Sequence, residues 1–179
     1  RFACDANNEE SIDQQLAKNP NIIMIRNQAK ITIDNPTGNG YLVVTGFTAY
    51  NTNAFGTVAP YHPTKGWVWS SNADVEPFVT LPANDAKLSD IQDVQDISQN
   101  PELYVFECEN SSEDPVSVII RGHLPGESEE LYYRVMLIDE KGDQILIRRN
   151  HHYKLNIKGA LSFGQENFAA ALTAAATNN

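Results

Sequence analysis

Residues 129–159 read EELYYRVMLIDEKGDQILIRRNHHYKLNIKG, and this stretch decides the fold. Tyr133, Val135 and Leu137 alternate with Tyr132, Arg134 and Met136, the period of two that a strand with one buried face requires. Asp139-Glu140-Lys141-Gly142-Asp143 then interrupts the apolar run with turn-forming residues, Gly142 being the natural position for a positive φ. Ile145-Leu146-Ile147 comes next, and Tyr153, Leu155 and Ile157 alternate with Lys154, Asn156 and Lys158. Arg148-Arg149-Asn150-His151 is too polar for an uninterrupted buried face, so the pattern predicts a bulge or bend there. The whole stretch reads as antiparallel β-sheet, wet on one side and dry on the other.

The same residues resemble the closing strands of the fimbrillin family, pilus subunits of the Bacteroidetes (the type V pilins). The likeness lies in the tyrosine-rich strand, the glycine turn, Arg149-Asn150-His151 and the Tyr153-x-Leu155-x-Ile157 strand. Ile25-Arg26-Asn27-Gln28-Ala29-Lys30-Ile31 and Phe55-Gly56-Thr57-Val58-Ala59-Pro60 resemble that family too, so the resemblance runs in three patches from 21 to 159. It implies an exported protein of the cell surface, associated with the outer membrane, whose partners are other fimbrial subunits. It also implies assembly by strand exchange, in which a strand of one subunit fills a groove in the next.

Composition sets the outer bounds. At 179 residues the chain has ample length to bury a core. No apolar run approaches the roughly 18 to 20 residues of a spanning helix. A formal charge of -10 argues against nucleic acid, whose phosphates an acidic surface repels. Cations gather at Lys141, Arg148, Arg149, Lys154 and Lys158 among Asp139, Glu140 and Asp143, which reads as a solvated sheet face. The chain opens on Arg1, as a processed product or excised piece does. Phe2-Ala3-Cys4 makes a poor lipoprotein box, because Arg1 stands where an apolar residue is wanted; any anchor would lie upstream.

Three regions are expected along the chain. Residues 1–20 form a helical segment, with Ile12 and Leu16 on one face and Pro20 as its stop. Residues 21–159 form the β-domain and 160–179 an alanine-rich helical connector, with Ser162-Phe163-Gly164-Gln165 as a capping box. Strands are expected over 22–33, 41–50, 103–108 and 116–121, besides those of the opening stretch. Gly46 inside the second marks a bulge or a close backbone approach. Strict alternation there sets Leu42, Val44 and Gly46 opposite Val43, Thr45 and Phe47. Leu88, Ile91, Val94 and Ile97 stand three apart, which suits a short helix or coiled cover better than a strand. Together these elements predict an all-β, Greek-key-like sandwich of about seven strands with short terminal helices.

No residue constellation supports catalysis, a metal or a cofactor. His151 and His152 are adjacent on a strand and point to opposite faces, and His62 and His123 stand alone. No Ser, His and Asp arrangement forms a triad, and no glycine-rich stretch opens a helix after a strand. Asp139–Asp143 is too short for a calcium loop and reads as a hairpin turn. Asn110-Ser111-Ser112 fits the N-glycosylation pattern, a common accidental match. Trp67 and Trp69 share one face of a brief extended piece, where two indoles stack on a sugar or grip a partner, or else bury against the sheet. They carry the alternative to the structural role: a carbohydrate- or host-binding adhesin domain at a fimbrial tip, meeting a host glycan or protein. Cys4 and Cys108 are too few for a disulfide scaffold. In an exported protein a bridge between them would close a loop of about 105 residues and contribute roughly 4 to 5 kcal/mol, the alternative being a buried thiol at Cys108.

Overall fold

The computed structural model describes residues 26–34, 36–37, 40–56, 87–88, 93–108, 110, 115–158 and 163–176. Among them the alternating segments form seven strands and one helix. The strands are β1 (Gln28–Asp34), β2 (Val43–Tyr50), β3 (Gln95–Asp96), β4 (Leu103–Phe106), β5 (Ser117–His123), β6 (Leu131–Met136) and β7 (His152–Asn156), and the helix is α1 (Phe168–Thr173). They build an all-β sandwich of a three-stranded sheet, β4-β1-β7, and a four-stranded sheet, β3-β2-β5-β6.

The core between the sheets is the sum of the inward positions. Ala29, Ile31 and Ile33 of β1 and Val105 of β4 face Val44 and Phe47 of β2, Val118 and Ile120 of β5, and Tyr133 of β6. Tyr153 and Leu155 of β7 are half-buried against the same cluster, which Leu137, Ile147 and Ile157 close. β5 is covered on both faces, because Ile119 packs outward beneath Ala171 and Phe168 of α1. The helix begins at Asn167, whose side chain accepts from the Ala170 N–H; Ser162 of the expected capping box lies outside the described residues. Half-buried Arg134 fastens the other end of α1, donating from Nη1 to the Leu172 carbonyl at 3.0 Å.

Three local expectations give way to longer-range geometry. The opening stretch does not lie in one antiparallel sheet. β6 pairs antiparallel with β5, the chain turns at Asp139–Gly142, and β7 joins the opposite sheet parallel to β1, from Lys30↔His152 to Asp34↔Asn156. In β2 the register slips between Val44 and Gly46, leaving Thr45 as the extra residue. The slip reverses the parity that strict alternation assigns, so Phe47 shares the core with Val44 instead of facing away from it. Gly46 meets both expectations at once: it flanks the bulge, and a Cβ there would lie 2.6 Å from the Gln95 carbonyl oxygen. That approach admits β3, and so residues 93–100 are an edge strand followed by a turn, not a helix: Gln95 and Asp96 pair with Phe47 and Gly46.

The turns agree with the pattern. Gly142 has φ +89°, and the Asp139 carboxylate accepts from the N–H groups of Lys141 (2.8 Å) and Asp143 (3.0 Å), so it closes a hairpin turn. The bend before β7 turns on Asn150 at φ +60°.

Candidate assembly surface

β7 is an edge strand, and its pairing with β1 fixes which of its backbone groups face inward. The Lys30 N–H donates to the His151 carbonyl at 2.9 Å. In the parallel ladder beyond that bond, Tyr153 and Leu155 turn their backbone groups to β1, whereas His152, Lys154 and Asn156 turn theirs away. Among the described residues no strand pairs with that outer side. Beneath it, Tyr153 and Leu155 remain only half-buried in the core. An unpaired edge above a partly open apolar face is the arrangement that receives an added strand.

The edge is held rigidly at its start. Arg149, at the bend, is 6% exposed, and its Nε lies 3.4 Å from Oε2 of Glu107, itself 5% exposed, just past β4. Burial pushes the Glu107 carboxyl above the ordinary glutamate value, and the Arg149 guanidinium opposes that rise. The pair therefore ties the ends of both edge strands of the three-stranded sheet. Arg149 is thus not part of a solvated face, as its polar neighbours suggest, but a buried cation. Around it the Asn150 N–H donates to the Gln28 carbonyl (2.9 Å), and the Tyr153 hydroxyl donates to the Leu146 carbonyl (2.7 Å) while accepting from the Arg148 N–H (2.9 Å). Burial raises the Tyr153 phenol above its usual value.

Asn110, which sequence reading names only as a glycosylation match, is a second buried support. Its amide donates to the carbonyls of Leu137 (3.2 Å) and Ile145 (2.8 Å), and its Oδ1 accepts from the Val116 N–H (2.7 Å). The side chain that would carry a glycan is thus spent inside the fold. Asn110→Ala is expected to cost about 1–3 kcal/mol, because buried backbone groups lose their partner; urea unfolding followed by circular dichroism measures it.

The outward side chains of the three-stranded sheet form a polar face. Lys30 Nζ meets Glu102 Oε1 at 2.7 Å, and the Thr32 hydroxyl meets Nε2 of His152 at 2.8 Å. Glu102 is held below the usual carboxylate range by the hydrogen bonds from Lys30 and Tyr104. The two adjacent histidines separate: His151 Nδ1 lies on the Arg149 carbonyl and its ring stacks on Tyr153, while His152 turns to Thr32.

Of the residues singled out from sequence, Trp67, Trp69 and Cys4 lie outside the described residues, as do the N-terminal helical segment and His62. Cys108 is buried in the core, and its backbone pairs with Ile147. Among the described residues no group of three or more His, Cys, Asp or Glu is placed to hold a metal, and no helix is long and apolar enough to cross a membrane.

Comparison with known proteins adds one likeness. Over 165 residues the chain is 28% identical to two curated sequences of the major fimbrium tip subunit FimE of Porphyromonas gingivalis. The match covers 88% of this chain and 29% of those proteins, so the chain spans less than a third of the length of the curated relatives it matches. No protein-family model matches the chain, and no solved structure matches it.

Proposed function

We propose that this sandwich is a structural domain of a cell-surface fimbria, and that it joins its neighbours by accepting a strand along the outer side of β7. The likeness to a fimbrial tip subunit over most of the chain supports the setting. The observation that carries the joining mode is the outward-turned backbone of His152, Lys154 and Asn156 above half-buried Tyr153 and Leu155. An added strand would gain backbone hydrogen bonds from the first three and cover the last two. A place at the fimbrial tip is the finer reading that the relatives' name favours, with Trp67 and Trp69 as its partner contacts and no chemistry to perform. A Cys4–Cys108 bridge belongs to the same proposal, since it needs an oxidising exterior.

Amide hydrogen exchange tests the joining mode. In the isolated chain the amides of His152, Lys154 and Asn156 are expected to exchange quickly, being at an edge. In fimbriae from cells producing the protein, the same amides are expected to slow by about a hundredfold or more, as paired strand amides do. Equal exchange in both would rule out strand addition at β7.

A further inference from the structure

The two outer faces of the sandwich differ. That of the four-stranded sheet carries α1, with Ala171 fully buried against Ile119. That of β4-β1-β7 carries no helix or further strand among the described residues, and the segment at Gly56 packs on it only at its β4 end, against Phe106. Register places Tyr104, Lys30 and His152 in one row and Thr32 beside Lys154 in the next. Arg26 precedes β1 and Lys158 lies beyond β7, both exposed.

Charge on this face runs against the rest of the chain. Lys30 and Glu102 offset each other in an ion pair, which leaves Arg26, Lys154 and Lys158 against Asp34. The formal charge of the whole chain is -10. His152 registers the local field: after desolvation, the ammonium groups of Lys30 and Lys154 hold its imidazole below the ordinary value, Glu102 pulls it back, and Arg26 adds to the depression.

An acidic counterpart lies on the loop from β5 to β6. Glu127, Glu129 and Glu130 are all exposed there. Glu130 is partly neutralised, with its Oε2 3.4 Å from Arg121 Nε. Among the described residues no ion pair holds Glu127 or Glu129.

We infer that the outer face of β4-β1-β7 receives the 127–130 loop of a second copy of this chain. The inference deepens the assembly reading and rests on it, naming the contact beside the β7 edge. Made in one direction the contact is heterologous, and copies add in a row or close as a ring; made reciprocally it closes a pair. The excess negative charge elsewhere on the chain favours a short acidic loop over a long polyanion, which would meet repulsion beyond the basic face.

Sedimentation velocity of the full chain provides the test. Association is expected at about 0.02 M salt and is expected to weaken at least tenfold at about 0.5 M, where screening reaches within a few ångströms. The double variants Arg26→Glu/Lys154→Glu and Glu127→Lys/Glu129→Lys are each expected to stay monomeric at low salt, with unchanged thermal melts showing that both fold. Mixing the two variants is expected to restore association, because each supplies the surface that complements the other. A wild-type chain that is monomeric at low salt, association untouched by the reversals, or capture of a sulfated polysaccharide without self-association would each overturn the inference. The amide-exchange result separates the two proposals. Protected β7 amides with no effect of charge reversal sink this contact alone, and unprotected amides with reversible, salt-sensitive association sink strand addition alone.

Discussion

Arg149→Met is expected to destabilise the protein by about 3 kcal/mol near neutral pH, since it leaves Glu107 as a buried charge without its guanidinium. Glu107 and Arg149 are both less than a tenth exposed, and they meet where the ends of β4 and β7 come together. Burial already raises the Glu107 carboxyl, and Arg149 is the charged group that restrains the rise. Near the pair, the Tyr153 hydroxyl bonds the Leu146 carbonyl and the Arg148 N–H, and His151 Nδ1 lies on the Arg149 carbonyl. Without Arg149 the folded-state value climbs further above that of the unfolded chain. A carboxyl raised by folding favours the folded state below its unfolded value and penalises it as pH rises through the folded value. The variant's deficit is therefore expected to shrink on acidification from neutral pH toward the ordinary glutamate range. Urea midpoints at both ends of that interval measure it, and a deficit independent of pH would contradict the placement of Glu107. Glu107→Leu combined with Arg149→Met is expected to recover much of the loss, because no charge is then left buried.

Phe47→Ala should cost about 3–5 kcal/mol, the range for removing a buried aromatic ring and leaving a cavity. Phe47 is the largest fully buried side chain among the described residues, at 0% exposure. It reaches the core only because Thr45 is bulged out and shifts everything after it by one position. The denaturation midpoint of the variant, with an unchanged slope, would report the loss. A cost under about 1 kcal/mol would instead be the signature of a surface aromatic and would mean that β2 runs without its bulge.

These two residues mark what local pattern conveys and what it omits. The alternation at Tyr133, Val135, Tyr153 and Leu155, the turn at Gly142 and the bend at Asn150 are local properties, and each is legible because a side chain or a φ angle demands it. Gly46 announces a disturbance in β2, but the direction of the parity change depends on β5, more than seventy residues later. Which sheet β7 joins, and that it runs parallel to β1, likewise depends on a partner the pattern cannot see. Arg149 looks like a solvated cation because its neighbours at the bend are polar; its true surroundings come from Glu107, just past β4. For the candidate assembly surface, the polar outward residues of β7 are legible, but its place at the rim of a sheet is not.

The parallel union of β1 and β7 has a mechanical consequence. The chain enters this pair at one end of the sandwich and leaves it at the other. Tension applied between the start of β1 and the end of β7 draws the two strands along each other, so the five registered positions from Lys30↔His152 to Asp34↔Asn156 bear the load at once. An antiparallel pair gripped at neighbouring ends would peel open one rung after another. Pulled along that axis, the domain is thus clamped by β1 and β7.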